Sequence, residues 1–311
     1  MHAIVLRQFG SVDHLELAEL PTPHAGPGQV LIRIAATGFN PIDYQMRQGL
    51  GESKMLASPV LGREFAGTVV ALGAGATRFA IGDAVCCYVG SLGSNGTYAE
   101  YIAAPEAILA HKPASLDFAQ AAALPLAGLT ALQCVERLAL FAPKSVLVTA
   151  GAGGVGAFVL KLLRAETQAA LVTTAGNPVS RQQLRELGMA DSAIIDYKAG
   201  DLTARLLAAN GGQPYDAVVE LAGGAMSETA VAVLRTHGVY ADITNLATQQ
   251  AREDLFDAGA TVLNIANYAL ALTKSPAALQ HYGNKLAELG ARIDAGAVSP
   301  PPLLVLDGLS A

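Results

Sequence analysis

The fold of this chain is decided by residues 145–156, which read Ser-Val-Leu-Val-Thr-Ala-Gly-Ala-Gly-Gly-Val-Gly. The apolar start predicts a buried strand, and the pattern Gly-x-Gly-x-x-Gly follows it directly. Gly151 is expected to permit a tight turn, Gly153 to let a phosphate approach the backbone, and Gly156 to let a helix pack close to the strand. The stretch therefore predicts a dinucleotide-binding turn, although glycines also cluster in purely structural turns.

A helix and more strands are predicted after the glycines. Gly154 and Val155 would begin the helix, where free N–H groups favour an anion. Val155, Val159 and Leu162 fall on one helical face, as a crossover helix requires. Four further apolar runs predict parallel strands: Ala170–Thr174, Ala193–Ile195, Ala217–Glu220 and Val239–Ile243. Strands alternating with helices indicate a doubly wound α/β domain with a parallel sheet.

The first part of the chain has a different pattern. Short β-like runs such as Gln29–Ala36 and Gly67–Leu72 are separated by turn residues, which predicts a β-rich, barrel-like domain. Near the end, a helical stretch at 277–291 precedes a run of prolines that cannot lie inside a parallel sheet, so we expect this segment to return to the first domain. We place the barrel domain at residues 1–118 and 266–311 and the nucleotide domain at 119–265.

Composition excludes several classes of protein. With 311 residues, 52% hydrophobic residues and 15% charged residues, the chain cannot be disordered, and its net charge of −6 argues against nucleic acid as a partner. We found no unbroken apolar run long enough to cross a membrane and no signal-peptide pattern at the start, so we expect a cytoplasmic protein without a membrane partner. Three cysteines, Cys86, Cys87 and Cys134, match neither a zinc knuckle nor a disulfide framework and predict free, buried thiols.

The residues that would follow the second strand indicate which nucleotide binds. An acid about 20 residues beyond the glycines would hold a free ribose 2′-hydroxyl, but residues 167–185 contain no Asp or Glu. They offer Ser180 and Arg181 instead, and a cation can pair with a 2′-phosphate. This favours NADPH over NADH. The alternative is that Arg181 and Arg185, four residues apart, only form a solvated helix face.

Five motifs together carry a family resemblance. Gly-Arg-Glu-Phe-Ala-Gly at 62–67 and Asn-Pro-Ile-Asp at 40–43 stand in order with the 96–101 and 124–131 stretches and with the glycine motif at 151–156. The set resembles the medium-chain dehydrogenase/reductase superfamily, and within it the zinc-free quinone oxidoreductase branch. The resemblance implies a GroES-like barrel domain plus a Rossmann domain, catalysis across the cleft between them, and a homodimer formed through an edge strand.

Two substitutions argue against a metal. Where zinc-dependent members of the superfamily carry a Cys and a His, this chain has Asn40 and Arg63, while Glu64 remains. An amide and a guanidinium do not bind catalytic zinc, so we predict no metal at these positions. For Glu64 we also weigh a structural role as a buried acid paired with Arg63 or another base, and for Asn40 a role as a turn residue before proline.

The implied activity is hydride transfer without a metal. Quinones and α,β-unsaturated carbonyls accept hydride with little assistance, so the resemblance implies an NADPH-dependent oxidoreductase acting on such a small-molecule electrophile. We predict that Asn40, Tyr44 and Thr130 surround the reacting atoms, with Thr130 also contacting the cofactor. Two alternatives remain open: an enoyl-thioester reductase, and a non-catalytic NADPH-binding sensor.

Related chains continue past the proline run with a helix and a strand. We therefore expect either a truncated chain or a barrel domain that closes in another way. An edge left uncovered in that domain would favour association.

Overall fold

The computed structural model describes residues 1–273 and 275–309, which divide into two compact units. Unit 1 comprises Met1–Leu129 and Asn267–Ala311, and unit 2 comprises Thr130–Ala266. The boundary at 129 lies later than the one drawn from the sequence at 118, because the residues that follow 118 pack on the strands of unit 1. The boundary at 266 differs by one residue from the sequence-based assignment.

Unit 1 is built from antiparallel strands. A hairpin pairs β1 (His2–Leu6) with β2 (Leu15–Glu19). A five-stranded sheet has the order β6-β3-β4-β5-β7 and contains β3 (Gln29–Thr37), β4 (Glu64–Leu72), β5 (Ala84–Tyr88), β6 (Tyr101–Pro105) and β7 (Leu109–His111). Its strands contain runs of buried residues, and Ile32, Phe65 and Ile102 are fully buried. The β-rich domain expected from the sequence is confirmed.

The first helices of the chain lie between and after the strands of this sheet. Helix α1 (Pro41–Arg47) begins with proline at its first position, where the missing N–H costs nothing. Helix α2 (Phe118–Ala122) begins at Asp117, whose side chain accepts a hydrogen bond from the Gln120 N–H at 2.8 Å. Helix α3 (Pro125–Ala139) starts in unit 1 and continues into unit 2.

Unit 2 is a parallel sheet covered by helices. Its strands are β8 (Ser145–Val148), β9 (Ala170–Ala175), β10 (Ile194–Asp196), β11 (Tyr215–Glu220), β12 (Leu234–Asp242) and β13 (Thr261–Asn264). The helices are α4 (Gly154–Glu166), α5 (Pro178–Glu186), α6 (Leu202–Ala209), α7 (Ala225–Ala232) and α8 (Gln249–Asp257). The strand order β10-β9-β8-β11-β12-β13 is that of a Rossmann domain and confirms the predicted doubly wound sheet.

This strand order determines where a ligand can bind in unit 2. The order reverses at β8, and the glycine motif begins at the carboxyl end of that strand. In open parallel sheets the crevice at such a switch point is the usual binding position. The five strands predicted from the sequence are present, whereas β13, with only one buried residue, Leu263, was not predicted.

The chain returns to unit 1 through α9 (Ala269–Leu272) and α10 (Pro276–Asp294). The Asp294 carboxylate accepts hydrogen bonds from the N–H groups of Ala114 and Ser115 at 3.0 and 2.9 Å, which fixes the end of α10. No helix among residues 1–273 and 275–309 combines the length and hydropathy needed to cross a bilayer.

Helix α10 packs against the first segment of unit 1 through glycines. A Cβ at Gly283 would lie 2.3 Å from the Ala107 carbonyl oxygen, whereas a Cβ at Gly290 would meet only the flexible ring of Pro113 at 3.3 Å. Both positions lie inside the helix, so alanine improves helix propensity equally, by about 1 kcal/mol.

We expect Gly283→Ala to lower the free energy of unfolding by roughly 1 to 3 kcal/mol, since the backbone contact forces the helix outward. The matched variant Gly290→Ala should be neutral or slightly stabilising. Urea denaturation of both variants measures the difference. Equal stability of the two variants would show that α10 is not held by this contact.

Candidate active site

The glycine turn after β8 is shaped by packing as well as by backbone freedom. Ala150, not Gly151, adopts the left-handed conformation, with φ of 50°. A Cβ at Gly151 would lie 2.1 Å from the Thr173 hydroxyl oxygen, so this glycine allows the turn to pack on β9. Gly151 therefore permits the turn, as expected, but through close packing and not through a positive φ.

Gly156 permits the close helix approach expected for it, and Gly153 leaves open space at the start of α4. A Cβ at Gly156 would lie 2.6 Å from the Ala150 carbonyl oxygen, so α4 can approach the turn only with glycine here. Gly153 lies immediately before α4, and a Cβ there would meet only the Ala150 oxygen, at 3.3 Å. The first N–H groups of α4, from Gly154 and Val155 onward, have no acceptor within the helix. This open cradle fits the pyrophosphate of a dinucleotide.

Arg181 and Arg185 are both held by neighbouring groups. The Arg181 guanidinium lies 3.4 Å from the Asp191 carboxylate and donates to the Ile194 carbonyl oxygen at 2.8 Å. Arg185 Nε donates to the same carboxylate at 2.7 Å. These contacts agree with the alternative in which Arg181 and Arg185 only form a solvated helix face, because both side chains already pair with neighbouring groups. Ser180 lies in the first turn of α5, where its N–H donates to the Asn177 side chain at 2.9 Å.

Two residues beside this turn were missed by sequence reasoning. Tyr197 follows β10, donates its N–H to the Ala175 carbonyl oxygen at 3.1 Å, and packs so tightly on Gly176 that a Cβ there would lie 2.3 Å from its ring. Lys198 Nζ lies 5.7 Å from the centre of that ring, and both side chains are exposed. The parallel pairing of β9 with β10 brings them beside the Asn177 turn. No sequence motif marks them.

Glu220 organises the loop at the switch point. This fully buried residue ends β11, and its Oε1 accepts hydrogen bonds from the N–H groups of Ala222 and Gly223, each at 2.8 Å. The Thr149 hydroxyl, at the end of β8, accepts from the Leu221 N–H at 2.8 Å. The loop after β11 is thus fixed next to the glycine turn by contacts that the sequence did not reveal.

Unit 1 contains a second polar centre around Glu64. The Asn40 amide nitrogen Nδ2 donates to Glu64 Oε1 at 2.5 Å, and the Leu126 N–H, at the start of α3, donates to Glu64 Oε2 at 2.7 Å. Glu64 is 1% exposed and Asn40 8%. Burial raises the pKa of Glu64 to about 7, against the two hydrogen bonds, which lower it. Asn40 lies before Pro41 in extended conformation, as expected.

Arg63 does not pair with Glu64. Its guanidinium forms an ion pair with Glu52 and donates to the Ser91 hydroxyl at 2.8 Å. Glu64 is a buried acid, as that alternative predicted, but the predicted pairing with Arg63 or another base is wrong, because its hydrogen bonds come from an amide and a backbone N–H. Asp43 completes the centre: it accepts the Asn40 N–H at 2.8 Å, and burial raises its pKa to about 6.

The three residues expected around the reacting atoms are divided between the units. Asn40 and Tyr44 belong to unit 1, where the Tyr44 side chain is 41% exposed on α1. Thr130 is the first residue of unit 2 and is buried within α3. Among the residues that the structure describes, no three His, Cys, Asp or Glu side chains gather in a way that could hold a metal ion.

Two family models match the chain. Residues 26–114 match the alcohol dehydrogenase GroES-like domain, and residues 154–281 match the zinc-binding dehydrogenase domain. An NADPH-dependent alkenal/one oxidoreductase of Arabidopsis thaliana is 36% identical over 257 residues, which cover 80% of this chain and 64% of the relative. A chloroplast envelope quinone oxidoreductase homolog from the same plant is 33% identical over 259 residues, covering 78% of this chain and 75% of that protein.

The chain belongs to the medium-chain dehydrogenase/reductase superfamily. The quinone oxidoreductase from Coxiella burnetii has the same fold, with a TM-score of 0.79 and 30% identity over 96% of this chain and 89% of that one. The chain spans about two thirds of the first plant relative's length. The name of the second family refers to zinc, whereas the amide of Asn40 and the guanidinium of Arg63 are not among the side chains that ordinarily bind it.

The open space at Gly153 generates a prediction. Gly153→Val should abolish dinucleotide binding, because the side chain projects where the pyrophosphate would lie, while the fold survives a single 3.3 Å contact. Fluorescence titration with NADPH measures binding, and circular dichroism measures folding. As a control, Gly156→Val should disturb the fold itself. Normal NADPH affinity in folded Gly153→Val would show that the phosphates do not lie on this turn.

Proposed function

We propose that this protein is an NADPH-dependent reductase of quinones or α,β-unsaturated carbonyls that works without zinc. The observation that carries the proposal is the Glu64 centre. At the positions where the family resemblance implies zinc ligands in other members, this chain has an amide that donates to a buried carboxylate and a guanidinium paired with Glu52. The open glycine turn supports the assignment of a dinucleotide cofactor. The plant relatives, which are named for NADPH-dependent alkenal/one reduction and for quinone reduction, support the substrate class.

Bound NADPH supplies hydride, and the protein's own groups would do the rest. The turn at Gly153 and the start of α4 would hold the pyrophosphate, and Asn40, Tyr44 and Thr130 would supply hydrogen-bonding groups for the substrate oxygen and the nucleotide. Negative charge develops on the substrate oxygen as hydride arrives, so a donor placed there lowers the barrier. Holding the substrate in a reactive orientation supplies much of the remaining rate.

The test is a steady-state screen of NADPH oxidation with 1,2- and 1,4-quinones, alkenals, and enoyl-coenzyme A. We expect turnover of quinones or alkenals that survives chelation, with no zinc found by elemental analysis. Preference for enoyl-coenzyme A would support the thioester reductase instead. NADPH binding without turnover of any acceptor would support the sensor. About one zinc per chain, with activity lost to chelators, would exclude the metal-free mechanism.

For nucleotide choice we propose Ser180 and Arg181, joined by Lys198, as the groups that bind a 2′-phosphate. Lys198 is exposed beside the turn, whereas Arg181 would have to leave Asp191 and the Ile194 carbonyl. A charge-assisted hydrogen bond is worth roughly 1.5 to 3 kcal/mol, which is about tenfold to a hundredfold in affinity.

We therefore expect Lys198→Ala or Arg181→Ala to weaken NADPH binding while leaving NADH binding unchanged, and we expect the larger loss at Lys198. Titration of each variant with NADPH and with NADH measures the ratio of the two affinities. Arg185→Ala serves as the matched control, since its guanidinium contacts only Asp191 among these groups. If neither variant changes the ratio of NADPH affinity to NADH affinity, these cations do not bind the 2′-phosphate.

We also propose a homodimer that forms along β13. This strand is one of the two edges of the six-stranded sheet, so one side of its backbone has no strand partner among residues 1–273 and 275–309, and Val262 on it is 43% exposed. An edge of this kind is a template for pairing with a second copy.

A further inference from the structure

Two buried acids lie side by side at the carboxyl edge of the parallel sheet in unit 2. Glu220 ends β11, Asp242 ends β12, and the two are paired in the register of these strands. Glu220 is 0% exposed and Asp242 8%. Burying a charge is unfavourable unless an opposite charge or several hydrogen bonds compensate for it. The partners of Glu220 therefore show what stabilises it.

The groups that contact the Glu220 carboxylate are neutral donors. Oε1 accepts hydrogen bonds from the Ala222 and Gly223 N–H groups, each at 2.8 Å, and from the Thr149 hydroxyl at 3.3 Å. Oε2 accepts from the Gly223 N–H at 3.0 Å and from the Thr244 hydroxyl at 3.5 Å. These partners suit an ionised carboxylate, which only accepts. Within the described part of the chain, no Lys, Arg or His side chain forms an ion pair with Glu220, so its charge is not neutralised.

The place of this charge in the sheet relates it to the nicotinamide end of the cofactor. A Rossmann sheet consists of two mononucleotide-binding halves that meet at the switch point, which here is β8. With the 2′-phosphate proposed to bind at Lys198, which follows β10, the adenosine end belongs to the half that contains β9 and β10. The nicotinamide end then belongs to the half that contains β11, β12 and β13. The loops of that half at the carboxyl edge, 221–224 and 243–248, directly follow the two acids.

These two loops are joined to each other, and Glu220 contacts both. The Gly224 N–H donates to the Leu246 carbonyl oxygen at 2.9 Å. Glu220 contacts the first loop through the Gly223 N–H and the second loop through the Thr244 hydroxyl. Gly224 leaves open space, because a Cβ there would meet no atom of the described residues within 4 Å. This open backbone fits the approach of a ligand, and the charged carboxylate is hydrogen-bonded to the loop that provides it.

Hydride transfer to the electrophile removes an electron pair from the neutral nicotinamide of NADPH and leaves a positive charge on that ring. A negative charge buried away from water attracts such a cation more strongly than a solvated one does. We propose that Glu220, with Asp242 beside it, stabilises bound NADP⁺ relative to bound NADPH and so favours hydride donation. The inference rests on the proposed reductase function and assigns the buried acids of unit 2 an electrostatic role in it.

The test compares the two redox states of the cofactor in a variant that lacks the charge. We expect Glu220→Gln to raise the ratio of the NADP⁺ dissociation constant to the NADPH dissociation constant by about tenfold, as the loss of one screened charge interaction predicts. Isothermal titration calorimetry with each nucleotide measures both constants. If Glu220 only held the loop in shape, the variant would weaken both nucleotides equally and leave the ratio unchanged.

Two further variants separate charge from shape and position. Glu220→Asp keeps the charge and should keep the wild-type ratio, even where the shorter side chain weakens the binding of both nucleotides. Asp216 lies near the start of the same strand, roughly 13 Å from Glu220 along β11, and pairs with Arg235 at 2.8 Å. Asp216→Asn therefore removes a charge at the opposite edge of the sheet and should leave the ratio unchanged.

The outcomes distinguish this inference from the proposed function. An unchanged ratio in Glu220→Gln, or an equal rise in Asp216→Asn, overturns the role of Glu220 even if quinones or enones are reduced. A ratio that responds to Glu220→Gln alone supports that role even if no such electrophile is reduced, in which case the proposed function fails. Should Glu220→Gln not fold, Asp242→Asn must raise the ratio in the same direction, and a constant ratio there overturns the inference.

Discussion

The buried carboxylate of Glu64 is the interaction on which the chemistry of unit 1 depends. It joins three elements that are distant in sequence: β4, which carries it, the start of α1 through Asn40, and the start of α3 through the Leu126 N–H. An unpaired carboxylate at this depth would be strongly unfavourable, so its two donors are necessary for the fold as well as for the site.

Unit 2 depends on a steric constraint instead of a charge. The turn after β8 folds only because Gly151 lets it rest on Thr173 and Gly156 lets α4 approach Ala150. The left-handed conformation falls on Ala150, which costs more there than it would at a glycine. Packing from β9 and α4 compensates for that cost and leaves the third glycine, Gly153, facing open space.

The sequence predicted those elements of the fold that a single local pattern of residues identifies. Five parallel strands are buried apolar runs, but β13 is four residues long with one buried side chain and gives no such pattern. The glycine turn was recognisable because its residues are consecutive. The pairing of Arg181 with Asp191 and the approach of Tyr197 to Gly176 arise from tertiary contacts that sequence spacing does not encode. The Leu126 contact with Glu64 spans 62 residues and was equally hidden.

The thiols of this protein have a practical consequence for labelling chemistry. Cys86, Cys87 and Cys134 are all buried, and burial raises the pKa of each, to about 12 for Cys86 and Cys134. Maleimides and iodoacetamides react with an accessible thiolate, which none of the three provides in the folded state. A single cysteine introduced on an exposed helix could therefore carry a fluorophore or spin label without removing any native thiol, and reaction of the native thiols would itself report local unfolding.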